Sequence, residues 1–455
     1  MIAIYPHHTM QHIIILIFVL LPLWAHSQSE TDIRLAIKNC NYEIPILQIP
    51  TAAGDSVLTP MRAQALKAMN RHPEALREWN SLLKEDSTDT GILMELAECY
   101  KATNRTREVI ACYRKAASLY PENKYFFQQY IRSLLTAERF EEARDACHNW
   151  LERDTLSALG YKFLGLAYEG MAREDINMLP NAFFAYNSAY RRDSLDGQTV
   201  AHIAAIFNDN KQYTDAVDVT ENYRLSDTLN VDVNRQNAKA YCMLKEYKTA
   251  VNRYEALKSM GDRSFTTLYY LGISHYGDNW FYGAQENLLE AHRKNPTDIN
   301  VLYYLGKSCA RTSWKEEGVE YMNQALEMVV PTDSLMERLY EGLVECYKYL
   351  PKADPYKQIE VMKTLYTYNK KPSLLYNVAY IYDQTKDEAN AKYFYQKYLD
   401  AAVKTGELAV DKQGNYQVSP DFTARTMMQT TAIRYLKEIK EKEFFEKGTP
   451  KTNKF

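Results

Sequence analysis

The chain is 455 residues long with a formal net charge of −3, and its 55 basic and 58 acidic residues are interspersed throughout. That mixing leaves neither the basic stripe of a nucleic-acid binder nor an acidic block that would stay disordered. Glycine (16) and proline (15) are sparse while apolar residues reach 46%, a balance that favours long helices around a filled core.

The N-terminus reads as a secretory signal over residues 1–27. Ile13 to Trp24 is an almost unbroken apolar run, followed by the small-x-small site Ala25-His26-Ser27. Cleavage is expected near Ser27, before Gln28, with Met1 or Met10 as the start. Such a run is too short for a hydrocarbon core, which needs about 20 residues. No other segment is long and apolar enough, so the mature chain is expected outside the cytoplasm, in the periplasm or on the cell exterior. Ile37-Lys38-Asn39 before Cys40 is no lipidation signal.

Residues 28–55 read as a degenerate helical hairpin, with Ile33, Ala36 and Ile37 on one helix. Ile44, Ile46, Leu47 and Ile49 lie on a second helix made irregular by Pro45 and Pro50. From residue 56 to 405 one thin pattern then returns about every 34 residues. Residues 90–123 carry it most clearly, with Leu93, Leu96, Ala97 and Tyr100, then Val109, Tyr113, Ala116 and Pro121. Apolar positions 4, 7, 8 and 11 form one helical stripe, and 20, 24 and 27 form another. Each unit is therefore a helical hairpin, with roughly six residues of turn expected between the two stripes.

Small residues recur at position 8 (Ala63, Ala97, Gly165, Ala204, Ala238, Gly272, Gly306, Ala379). They recur also at position 20 (Ala75, Ala143, Ala182, Ala216, Ala250, Ala284, Gly318, Ala391). Side chains this small let two helices cross closely. Ten units follow, opening at residues 56, 90, 124, 158, 197, 231, 265, 299, 333 and 372. Ser87, Thr155, Ser194, Thr228 and Asp262 at position 32 are expected to cap the helices that follow them. Wider loops are expected around Glu174–Pro180 and where Pro351 and Pro355 interrupt the ninth unit.

Residues 406–455 finish the chain. Asp411–Val418 reads as a turn, sharpest at Gly414-Asn415. Ser419-Pro420-Asp421 is expected to start a last helix, with Phe422, Met428, Ala432, Tyr435, Leu436 and Ile439 on its apolar side. A stacked array exposes an apolar face at each end, so this helix is assigned the capping role. Disorder is expected after Gly448.

Position pattern and length resemble the tetratricopeptide repeat (TPR) family over about three quarters of the chain. The resemblance implies an all-α, right-handed superhelical solenoid of about ten helix-turn-helix repeats with a C-terminal capping helix. It also implies a concave groove lined by the first helices, with positions 2, 5, 9 and 12 facing it. Carried onto this chain, those positions give Met94, Glu98, Lys101, Gln128, Arg132, Lys162 and Glu169 early. Later units give Tyr269, Tyr276, Tyr303, Tyr376 and Tyr380, with Asn300 and Lys307 among them. Tyrosine suits recognition, offering apolar area and a hydroxyl at low entropic cost. Packing between adjacent units is the other reading of these rings, and the one the family's use of Tyr at positions 5 and 12 favours. The set of Lys, Asn and Arg with which some relatives clamp a terminal carboxylate is not in register.

Seven cysteines (Cys40, Cys99, Cys112, Cys147, Cys242, Cys309, Cys346) show no metal-ligand spacing. Most fall at or beside apolar repeat positions and read as buried thiols, with Cys99–Cys112 the best-placed pair for a bridge. No phosphate-cradling loop, zinc-binding His pair or nucleophile elbow occurs. The expectation is a non-catalytic scaffold without cofactor, metal or nucleic acid, holding protein or peptide partners of the bacterial cell envelope. The alternative is a tyrosine-walled binder of carbohydrate or cell-wall fragments.

Overall fold

A computed structural model describes residues 30–51 and 55–448. The expected signal and its cleavage site, and the segment after Gly448, lie outside the described residues. Helix α1 (30–38) and the short α2 (Glu43–Gln48) come first. Among the described residues ten helical hairpins follow. They are α3 (Leu58–Ala68) with α4 (His72–Glu85), α5 (Thr90–Ala102) with α6 (Thr106–Leu119), and α7 (Lys124–Thr136) with α8 (Phe140–Arg153). Next are α9 (Ala158–Met171) with α10 (Leu179–Tyr190), α11 (Gly197–Asp209) with α12 (Tyr213–Arg224), and α13 (Val231–Met243) with α14 (Tyr247–Ser259). The last four are α15 (Phe265–Gly277) with α16 (Phe281–Lys294), α17 (Ile299–Ala310) with α18 (Lys315–Met328), α19 (Asp333–Tyr349) with α20 (Pro355–Asn369), and α21 (Pro372–Gln384) with α22 (Glu388–Lys404). A two-stranded ribbon, β1 (Ala409–Val410) and β2 (Tyr416–Gln417), leads to α23 (Ala424–Gly448). The fold is all-α.

The turn inside most hairpins is three residues, half the length expected from the stripes. Its second residue adopts left-handed backbone: Asn70, Asn104, Glu138, Lys211, Lys245, Asn279 and Lys386 have φ between 55° and 65°. The next amide reaches back five residues, as in Arg71 N to Leu66 O (2.8 Å), Arg105 N to Tyr100 O (2.9 Å) and Gln212 N to Phe207 O (2.8 Å). This is the Schellman closure, which satisfies orphan carbonyls and reverses the chain in minimal length. The stripes end before the helices do: Lys101 and Ala102 continue α5 beyond Tyr100, and Thr106 to Glu108 open α6 before Val109.

Helix starts also differ from expectation. The capping side chains stand two residues later than position 32. Asp89 accepts from Gly91 N (2.7 Å) and Ile92 N (3.1 Å), Asp298 from Asn300 N (2.9 Å) and Val301 N (3.0 Å). Asn123, Ser157, Asn230 and Ser264 cap in the same way. A cap must directly precede the first helical residue to reach the orphan N–H groups. Asp262, one of the expected caps, instead accepts from Thr267 Oγ1 (2.7 Å) and Arg235 Nη2 (2.9 Å).

The chain divides into two compact bodies, Met1–Ile203 and Ala204–Phe455. In the first, a continuous core runs from Ala63 to Ala185, filled by Leu66, Trp79, Leu96, Phe127, Ile131, Trp150 and Phe163 among others. In the second, buried Tyr254, Leu257, Leu271, Leu288, Leu305, Tyr395 and Leu399 mark successive core clusters. Small residues set the closest crossings. A Cβ on Gly306 would stand 2.9 Å from Gly318 O, and one on Gly318 2.8 Å from Gly306 O.

Two hairpins break the apolar rule at position 7. Arg62 is buried and pairs with buried Glu78, while its Nε donates to Ile46 O at 3.4 Å. Asn237, fully buried, donates to Thr220 Oγ1 and to Glu221 Oε1, both at 2.9 Å. Arg253 bonds both Asn237 Oδ1 and Glu221 Oε1 at 3.2 Å. Burial pushes the Glu221 carboxyl up, but these donors outweigh it and hold it below its ordinary value. The carboxylate keeps 34% of its side chain exposed, so these partners fix its position rather than rescue a fully buried charge.

The expected irregularities resolve in three ways. In the fourth hairpin a single 3-10 turn, Ile176–Met178, feeds directly into α10 with Pro180 near its start. In the ninth, Pro355 opens α20 rather than interrupting a turn, with Asp354 capping Tyr356 N at 2.9 Å. The last helix starts at Ala424, not at Ser419-Pro420, because Thr423 and Thr426 exchange reciprocal bonds (2.9 and 3.2 Å) as in a capping box. Phe422 is consequently 89% exposed rather than apolar-side, whereas Ala432, Leu436 and Ile439 are buried. Helix α23 packs on α21 and α22. At the other end Leu47 is exposed, and Pro45 is the buried residue of α2. All seven cysteines are free thiols, so Cys99 and Cys112 form no bridge.

Candidate functional site

First helices of consecutive hairpins touch directly. In the first body α7 meets α9; in the second α13 meets α15, α15 meets α17 and α17 meets α19. Their free face is the surface on which the sequence placed its candidate residues.

In the first body that face holds an open cleft of about 610 Å³. Lys101 borders it from the last turn of α5, Arg105 from the α5–α6 turn, Arg132 from α7 and Lys162 from α9. Val109, Leu135, Phe163 and Leu166 contribute apolar lining, and Gln129, Ser133, Thr136 and Gln198 contribute neutral polar groups. Lys162 pairs with Asp196 at 3.2 Å, and the Arg132 guanidinium lies 5.7 Å from the Phe163 ring centroid. The other early candidates are engaged elsewhere. Glu98 pairs with Lys67, Glu169 pairs with His202 Nδ1 at 2.9 Å and accepts from the Tyr186 hydroxyl, and Met94 packs on the core.

In the second body the later candidates separate into two groups. Tyr276, Tyr303 and Lys307 converge. The Lys307 ammonium lies 5.2 Å from both ring centroids and 2.9 Å from Glu345 Oε2. Tyr276 donates to Glu345 Oε1 at 3.4 Å, and Arg311 reaches the same oxygen at 3.6 Å. Burial works against the Lys307 charge, but the Glu345 hydrogen bond and neighbouring groups outweigh it and raise the ammonium above its ordinary value. Arg338 stacks 4.3 Å over Tyr303 and donates to Asn300 Oδ1 at 3.0 Å. Tyr269 stacks on Phe265 at 5.9 Å, and burial raises its hydroxyl.

Tyr376 and Tyr380 belong to another cluster, with Tyr376 against Tyr395 (5.6 Å) and Tyr398 (5.5 Å). Tyr303 is only 9% exposed and Tyr380 47%. Most of these rings therefore pack between neighbouring helices. Their polar partners Arg311, Arg338 and Glu345 escaped the sequence reading because they sit at positions 6 and 13, outside the set carried over. Charged residues there, two on α19 and one just past the end of α17, were the available signal.

This geometry defines a class: stacked helical hairpins whose first helices lie side by side within each body. Residues 53–150 match the family model "Psidin, N-terminal TPR repeats region", and residues 372–402 match "Tetratricopeptide repeat". Over these two stretches the chain is built of tetratricopeptide repeats. No curated relative matches it. Among solved structures it is similar to MamA from Desulfovibrio magneticus RS-1, at 17% identity over 36% of this chain and 94% of that chain, with a TM-score of 0.32. It is similar to yeast Tom70 at 12% identity over 91% and 96%, with a TM-score of 0.33. It is similar also to YrrB, described as a TPR protein with an unusual peptide-binding site, at 16% identity over 42% and 96%, with a TM-score of 0.35.

Proposed function

We propose that the chain is a non-catalytic scaffold of the bacterial cell envelope, holding segments of partner proteins along its first-helix face. The observation that carries this reading is the cleft beside α5, α7 and α9, with about 610 Å³ of open space between consecutive hairpins. A concavity of that size with an apolar floor and a few placed polar groups is what a bound segment needs. The tyrosine cluster around Lys307 supports the face less strongly, because its groups already satisfy one another. The apolar run before Gln28 supports a location beyond the cytoplasmic membrane.

The test is selection of displayed random peptides on the full chain, followed by hydrogen-exchange footprinting of the selected peptide. Protection should fall on α5, α7 and α9. Protection confined to the second helices α8 and α10, or failure to select any peptide, would remove the reading. Recovery of the native protein in the cytosolic fraction would remove the envelope assignment.

A further inference from the structure

We infer that the cleft beside α5, α7 and α9 takes an extended acidic peptide segment carrying a large apolar side chain among its carboxylates. The inference rests on the scaffold reading and names the chemistry of its ligand. Four cations line the cleft and no carboxylate does. Lys162 is offset by Asp196, but among the described residues Lys101, Arg105 and Arg132 have no carboxylate within ion-pair distance. Lys67 and Lys371 meet carboxylates across hairpins, at Glu95 and Glu341, whereas these three cations gather round one cleft whose lining holds none.

Arg132 and Lys162 sit on successive first helices, whose axes lie roughly 8–10 Å apart when packed. An extended segment in polyproline-II form rises about 3.1 Å per residue and returns every third side chain to one face, so carboxylates three residues apart match that spacing. Leu166 and Leu135 are half-buried on the cleft wall and offer contact to an aliphatic or aromatic side chain. A single-stranded nucleic acid fits less well, since it needs exposed ring faces on which bases stack. The aromatic rings here, Phe163 and Tyr113, are only 3% and 8% exposed.

Fluorescence anisotropy with the full chain tests this. The probe is a labelled decapeptide with Glu at every third position and one central Phe. A Gln-for-Glu counterpart and a ten-nucleotide oligo-dT are the comparisons. The Glu peptide should bind at least tenfold tighter than the Gln peptide, with the gap closing as salt rises. Lys101→Gln with Arg132→Gln should weaken it roughly three- to tenfold, while Lys348→Gln leaves it unchanged and circular dichroism shows all variants folded. Equal binding of Glu and Gln peptides would overturn the charge assignment and leave the scaffold reading standing. Tighter binding of oligo-dT would overturn the choice of ligand. If display-selected peptides bind and the Glu peptide does not, this inference falls alone; if no peptide of either origin binds, both fall.

Discussion

Placing a methyl group on Gly318 measures how closely α17 and α18 cross. Its Cβ would stand 2.8 Å from Gly306 O and 3.0 Å from Ala310 N, both backbone atoms that cannot swing aside. Carbon and carbonyl oxygen normally rest about 3.3–3.6 Å apart, so the helices must part by about half an ångström. Overpacking of this kind costs about 1–3 kcal/mol, and replacing a helical glycine by alanine returns about 1 kcal/mol. Gly318→Ala should therefore destabilise the crossing by about 1 kcal/mol, and Gly306→Ala similarly. One separation accommodates both methyls, so the double variant should be no worse than either single one. Its coupling energy then equals the separation cost, about 1–3 kcal/mol in the favourable sense. Native-state hydrogen exchange of α17 and α18 amides is the assay, because a repeat array need not melt in one step. Cys346 gives a second readout: its Sγ contacts Gly306 O at 3.5 Å and Gly318 O at 3.6 Å, so its alkylation should quicken in the single variants. If either alanine instead stabilises by about 1 kcal/mol, the full propensity gain, the close-crossing argument is wrong.

Glu138, held at φ 55° in its turn, should gain about 0.5–1 kcal/mol on replacement by glycine, read as slower exchange in α7 and α8; no gain would mean the turn relaxes without cost. Tyr254 is fully buried and its hydroxyl has no hydrogen-bond partner, so Tyr254→Phe should raise stability by about 1 kcal/mol in urea unfolding, and a loss would point to a missed partner. Burial pushes the Asp262 carboxyl up, but hydrogen bonds from Thr267, Ser264 and Arg235 outweigh it and hold it below its ordinary value of 3.8. Its contribution is thus complete above pH 3.8 and lost as pH falls through the lower folded-state value; Asp262→Asn should flatten the acid unfolding curve below pH 4, and an unchanged slope would refute the assignment. Burial also pushes the Cys99 and Cys112 thiols up to about 11 and Cys309 to about 12, so native alkylation at pH 8 should mark exposed Cys40 first, and rapid labelling of the others would sink the core assignment.

The hairpin architecture was legible because helical period and crossing geometry are both written in single residues. Ala63, Ala97 and Ala75 are fully buried at the positions where small side chains were required. Turn length and caps were less legible, since they depend on backbone conformation. Nothing in Glu138 or Lys211 announces left-handed backbone, which glycine or asparagine would have signalled. The start of α23 was misplaced for a related reason: Ser-Pro reads as a helix start, yet Thr423 and Thr426 satisfy more donors. In the site, aromatic abundance drew attention to Tyr303 and Tyr376, whose rings are consumed by neighbouring helices. Lys101, Arg132 and Lys162 were on the sequence-derived face but looked ordinary there. Only their shared cleft with Arg105, brought in by a turn, distinguishes them.

The polar contacts of Asn237 bear on how such a chain avoids mis-threading. Hairpins built on one template are nearly interchangeable, and tandem arrays are prone to docking out of order as they emerge during synthesis. If the seventh hairpin settled where the sixth belongs, Leu271 and Asn287 would occupy the places of Asn237 and Arg253. Glu221 would then lose the Arg253 guanidinium and the Asn237 amide together, and a half-buried carboxylate would face a leucine in their place. The Glu221–Asn237–Arg253 contact thus gives one junction an identity of its own, and lets the finished chain count its repeats from the inside.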